Sequence, residues 1–134
     1  MISGEFSVAT GKDMEFVDIS GELARAVTTS GVENGVLLVF NPHTTAGLTI
    51  NEGADPAVRS DLIGALKEML PSYPYRHQEG NSPSHLLASM MGSSLSIIIA
   101  GGMMRLGTWQ KVYFCEFDGP RSRKVWWTIT PAGD

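Results

Sequence analysis

Five apolar residues in a row, Val36-Leu-Leu-Val-Phe40, lie between a turn signal at Asn34-Gly35 and a break at Pro42. The run is too short for a helix, and Pro42 cannot donate to a strand ladder. Unbroken apolarity over this length predicts a strand buried on both faces. It leads into Asn41-Pro-His-Thr-Thr-Ala-Gly-Leu-Thr-Ile-Asn-Glu-Gly-Ala-Asp-Pro56, a stretch far richer in polar groups than a plain connection needs. Within it Leu48, Thr49 and Ile50 predict a return to strand. Asp55-Pro56 then predicts a helix start, a carboxylate N-cap followed by Pro at the first helical position.

The remainder alternates short strands with three helical patterns. Ile2, Gly4, Phe6 and Val8 alternate with polar residues and predict a first strand, and Phe16 to Ile19 a second. Ser20 is expected to cap a helix to about Thr29, with Leu23, Ala24 and Val27 on one face and Gly31 as its stop. The stripe Val58, Leu62, Ile63, Leu66, Met69 and Leu70 gives a helix ending at Pro71. Ser82-Pro83 opens a third helix by the same chemistry as Asp55-Pro56, with Leu86, Leu87 and Met90 inward and Gly92 at its end. Leu95 to Ala100 and Trp109 to Phe117 read as strands. Asp118-Gly-Pro120 reads as a turn from which Lys124 to Thr130 pairs back as a hairpin. About seven strands and three helices give an α+β class, with a mostly antiparallel, β-sandwich-like core in one domain over residues 1–134.

Composition excludes several functions. Net charge is −4 and no basic cluster exceeds Arg121-Ser-Arg-Lys124, so the electrostatic footprint of a nucleic-acid binder is absent. The apolar run around Leu95 to Met104 is too short and too Gly-broken to span a bilayer. The beginning of the chain has no basic-apolar-small signal pattern, so a cytoplasmic protein is expected. Cys115 is the single cysteine and falls in an apolar strand pattern, which predicts an inert buried thiol.

The chemistry-bearing residues gather in three segments, which are expected to meet at one site: 41–56, Tyr75 to His85, and Leu106 to Gln110 with Glu116 to Arg121. All three histidines, His43, His77 and His85, sit at element ends in polar, Gly/Pro-punctuated loops. Three imidazoles with an open fourth position suit a divalent ion, zinc before magnesium. Their spacing matches no short zinc motif, and separate loop histidines that cap or hydrogen-bond remain the alternative. Glu52 has no evident structural task and could orient a histidine or hold magnesium. Thr44 and Thr45 could cradle phosphate or be ordinary strand threonines. Trp109 could be core or a stacking wall for a flat heterocycle. Arg121, behind a fixed turn, is the candidate for bidentate phosphate binding.

These residues also carry a resemblance. His43 to Pro56, Asp61, His77, Glu79-Gly-Asn81, Pro83-Ser-His85, Leu106-Gly-Thr-Trp-Gln110 and Glu116-Phe-Asp-Gly-Pro-Arg121 resemble, in order and over nearly the whole chain, the YjbQ family, also called the secondary thiamine-phosphate synthase enzyme family. The resemblance implies a homotrimer and a metal or anion site on His43, His77 and His85. It implies a reaction joining a pyrimidine diphosphate to a thiazole phosphate with release of pyrophosphate. In that reading His43, Glu52, His77, His85 and Glu116 are catalytic. Thr44, Thr45, Asn51, Asn81, Trp109, Gln110 and Arg121 bind substrate. Many members carry two aspartates just before the last histidine, where this chain has Gly80-Asn-Ser-Pro83, so no role of those carboxylates carries over. A non-enzymatic trimeric metal- or anion-binding module is the alternative, and a purely structural role at a subunit interface is the third.

Overall fold

The computed structural model describes residues 2–133. Its elements are β1 (Ile2–Ala9), β2 (Glu15–Asp18), α1 (Ser20–Ser30), β3 (Gly35–Phe40), β4 (Ala46–Glu52), α2 (Pro56–Met69), α3 (Ser82–Met91), β5 (Ser94–Ala100), β6 (Met103–Met104), β7 (Gln110–Glu116) and β8 (Ser122–Pro131). One strand more than expected is present, the two-residue β6 after the Gly101-Gly102 turn, too short to leave an alternation in the sequence. The strands form two antiparallel sheets, ordered β1-β8-β3-β5-β6 and β2-β7-β4.

The expected hairpin of the last two long strands does not form. β7 pairs with β2 and β4, while β8 pairs with β1 and β3. Asp118 to Arg121, with a cis Gly119–Pro120 bond, therefore carries the chain from one sheet to the other. A turn signal between two strand patterns specifies a reversal but not the partner. Here β8 finds ten paired or pairable positions between β1 and β3, where its apolar inner face is buried.

The alternation of β7 explains the layering. Val112 and Phe114 point into the main core with Leu37, Val39, Leu48, Ile97, Ile99, Val125 and Ile129, closed at one side by Leu23 and Val27 of α1. Tyr113, Cys115 and Phe117 point the other way, into a second core with Phe16 and Leu87, covered in part by Leu62, Ile63 and Leu66 of α2. Cys115 is buried as expected, and burial pushes its thiol pKa up, away from reactivity. α3 buries Leu87 and Ala88, whereas Leu86 and Met90 lie exposed, against expectation. Asp55 caps α2 by accepting the Ala57 N–H at 2.9 Å. Ser20 does not cap α1, because its hydroxyl accepts the buried Val112 N–H at 2.8 Å. Neither helix α1 nor α3 carries a side-chain cap.

The opening expectation for β3 needs correction. Leu37 and Val39 are fully buried, but Val36, Leu38 and Phe40 are 45%, 39% and 41% exposed. Among the described residues no layer covers the outer side of the first sheet, so alternate residues of an all-apolar strand face outward. No helix among the described residues is long and apolar enough to cross a membrane.

Candidate functional site

β3 ends at Phe40, and Pro42 forces the chain out of the ladder. The loop that follows is held by one buried side chain. The amide nitrogen of Asn41 donates to the carbonyls of Ala46 (2.7 Å) and His43 (3.2 Å), and its oxygen accepts the His43 N–H at 3.0 Å. This clamp bends residues 41–46 into a tight arch whose outer side chains are His43 and Thr44. The imidazole of His43 is fixed again from the side. Its Nε2 accepts the Lys124 N–H at 2.9 Å, and Phe114 stands edge-on to the ring at 6.3 Å. Burial first, then the positive charge of Arg123, hold its pKa below the usual 6.5, against the pull of Glu116.

The segment 77–85 forms the facing wall. The Gly80 N–H bonds back to His77 O at 3.1 Å in a turn that Gly80, at φ 75°, allows without strain. Ser84 and His85 N–H groups both reach Asn81 O as α3 begins. The segment is tied to the crossing turn by Asn81 Nδ2 donating to Asp118 Oδ2 (3.0 Å) and Ser84 Oγ donating to Phe117 O (2.6 Å). His77 and His85 end with ring centroids 5.6 Å apart and nearly perpendicular.

These two walls and the start of β8 enclose a polar cavity of about 450 Å³. His43, His77 and His85 all line it, with Thr44, Thr45, Asn81 and Arg121. Seven sequence-expected residues are thus brought together from segments far apart in the chain. Arg121 is less free than expected. Its Nε donates to Asp118 O (2.7 Å) and its NH2 to Asp118 Oδ2 (2.9 Å), so half of the guanidinium fork is spent on the turn.

The floor of the cavity holds a residue that sequence reasoning passed over. Arg123 lines the cavity yet is only 5% exposed. Its NH2 donates to Thr45 Oγ1 at 2.9 Å and forms an ion pair with Glu116, whose other oxygen accepts the Arg123 Nε at 2.8 Å. Glu116, expected as a catalytic group, is fully buried below the cavity. Its oxygens also accept the Thr10 hydroxyl (2.7 Å) and the Asp118 N–H (3.0 Å). Desolvation would raise its pKa, but the Arg123, Thr10 and Asp118 hydrogen bonds and the Arg123 charge outweigh it and hold the carboxyl below 4.5. The signal for Arg123 lay in the alternation of β8, where a cation occupies an inward position in register with Val125 and Ile129.

Asn51, Glu52, Trp109 and Gln110 are elsewhere. In the β4–β7 ladder Ala46 pairs with Glu116 at the cavity end, and Glu52 pairs with Gln110 at the other. Six residues of strand separate the two ends by about 20 Å. There Glu52 accepts the Asp55 N–H at 3.0 Å, a turn-holding task the sequence hid, and Gln110 accepts the Gly107 N–H at 2.7 Å. Trp109 is neither core nor cavity wall but 62% exposed.

The residues at the cavity do not assemble the expected three-imidazole shell. Among the described residues no three His, Cys, Asp or Glu side chains are grouped closely enough to hold one metal ion. His43 Nε2 is already engaged by a strand amide.

The sequence model of the "UPF0047 protein YjbQ-like" family matches residues 4–132. A UPF0047 protein of Methanocaldococcus jannaschii is 44% identical over 123 residues, 91% of this chain and 89% of that one. The UPF0047 protein YugU of Bacillus subtilis is 44% identical over 121 residues, 87% and 89% of the two chains. The crystal structure of a YjbQ/UPF0047 family protein from Clostridium acetobutylicum, described as uncharacterized, superposes with a TM-score of 0.91 at 52% identity, covering 94% of this chain and 98% of that one. None of these names states an activity. With matching sequence over nearly its full length and the same two-sheet fold, this chain belongs to the YjbQ-like UPF0047 family.

Proposed function

We propose that the cavity receives the anionic end of a phosphorylated small molecule, and that the protein is an enzyme of the secondary thiamine-phosphate synthase type. The reaction would break the carbon–oxygen bond of a pyrimidine diphosphate, form a bond from that carbon to the ring nitrogen of a thiazole phosphate, and release pyrophosphate. The observation that supports it is the convergence of His43, His77, His85 and Arg121 on one polar cavity with the buried Arg123 beneath. Fixed donors and cations around a small space stabilise charge as it develops on a leaving group. In this reading Arg121 and Arg123 supply positive charge and His43, Thr44 and Thr45 supply directed hydrogen bonds. No step is routed through a metal, because among the described residues the donor set does not form a shell for one.

A second reading, a non-enzymatic anion-binding module, has its own support. Both arginines are already paired with carboxylates, Arg123 with Glu116 and Arg121 with Asp118, so the excess of positive charge is small. Turnover separates the two. Purified protein incubated with the two phosphorylated substrates should release pyrophosphate, and His77→Ala and Arg121→Ala should each slow that release. Binding without release by wild type supports the module.

The assembly we propose is a homotrimer. Its support is the uncovered outer face of the first sheet, where Val36, Leu38, Phe40, Ile98 and Trp126 stand exposed together. A contiguous apolar face on a small domain points to shared burial.

A further inference from the structure

The imidazole of His43 stands where a strand should be. Phe40 and Trp126 are the last pair of the β3–β8 ladder. Pro42 removes the next stretch of β3, and two residues along β8 the Lys124 N–H would face the gap. His43 Nε2 fills it at 2.9 Å. The ring substitutes for a ladder carbonyl, and its pose is over-determined by the Asn41 clamp on its backbone and by Phe114 against its face. A ring nitrogen that accepts an amide N–H carries no proton, so the proton of the neutral ring sits on Nδ1. Among the described residues nothing in the chain bonds to that Nδ1. A metal on Nε2 would have to displace that backbone amide from the only acceptor it has on this side of β8 among the described residues.

We propose that His43 serves the cavity as a fixed, neutral Nδ1–H donor to an anionic oxygen of the ligand, and is not a metal ligand through Nε2. The ligand oxygen it selects is an acceptor such as that of a phosphate ester. The inference rests on the phosphate-binding reading above for the identity of the ligand, but not for the state of the ring. Burial, and after it the charge of Arg123, lower its pKa and so work in the same direction, favouring the neutral ring.

Two measurements test it. The first is long-range proton–nitrogen spectroscopy of histidine-labelled protein near pH 7.5, with the His43 signals assigned by their loss in His43→Asn. The expected result is a protonated Nδ1 and an unprotonated, hydrogen-bonded Nε2. A protonated Nε2 overturns the proposal whatever the protein binds. The same sample titrated with zinc chloride should keep that His43 signature, and a metal-type shift at His43 Nε2 also overturns it. The second is calorimetric titration with inorganic phosphate and pyrophosphate. Asn places its amide nitrogen where imidazole Nδ1 lies, whereas Gln reaches the Nε2 position. His43→Asn should therefore bind within about threefold of wild type, and His43→Gln about tenfold or more weaker. The reverse order sinks the donation. If wild type binds neither anion, the phosphate reading fails and the donation with it, while the spectrum still decides the tautomer.

Discussion

Arg123 and Glu116 are joined by two hydrogen bonds while both are almost wholly out of water, at 5% and 0% exposed. The pair joins the two sheets, since Glu116 ends β7 and Arg123 is the second residue of β8. It also supports the arch, because Arg123 bonds to Thr45 Oγ1. Removing one member leaves a buried charge without its partner. Glu116→Ala or Arg123→Ala should each lower unfolding stability by about 3–5 kcal/mol. A double replacement by apolar residues of similar size should cost much less than the sum. Urea unfolding of the two single variants and the double variant checks this, and single costs below about 1 kcal/mol would show that the pair is not structural.

The same carboxyl sets an acid limit. Its pKa in the folded chain lies below 4.5, so the unfolded chain binds the proton more readily. The contribution to stability is therefore complete above about pH 4.5 and is lost as pH falls toward the folded value. Thermal midpoints measured from pH 7 down to 3 should fall more steeply for wild type than for Glu116→Gln in the window below 4.5. Parallel curves would mean that Glu116 does not titrate with unfolding.

The outer sheet face gives an assembly prediction. Phe40 and Trp126 stack with centroids 6.0 Å apart and mark one end of the exposed apolar row. Light scattering of the wild type at micromolar concentration should give three subunits' mass, and Trp126→Lys with Phe40→Ser should reduce it to one. A wild-type mass of one subunit would remove the trimer.

Trp109 tests the extent of the site. It stands at the end of the β4–β7 ladder away from the histidines, about 20 Å along the strand. Trp109→Ala should leave phosphate affinity unchanged within about twofold, whereas His77→Ala should weaken it clearly. A loss at Trp109 as large as at His77 would place the indole in the cavity, through a neighbouring subunit.

Local signals in the chain were sufficient wherever the physics is local. The Asp55 cap, the Gly31 stop and the period-2 faces of β7 followed from residue type and spacing, because capping, left-handed turns and strand alternation act within a few residues. That segments 41–56 and 75–85 would meet was also legible, from loops with more polar groups than a connection needs. What tertiary structure alone decided was partnership. Which sheet β8 joins, and so that Arg123 meets Glu116 rather than solvent, depends on pairings more than a hundred residues apart. The exposed half of β3 depends on whether a second layer covers it, which an apolar run cannot report. The separation of Glu52 and Trp109 from the histidines follows from ladder register, where a short step in sequence becomes a long step in space. The pose of the His43 ring is set by the Lys124 N–H donating to its Nε2 from 81 positions along the chain. Residue types set which bonds could form, and only the folded chain's geometry selected which did.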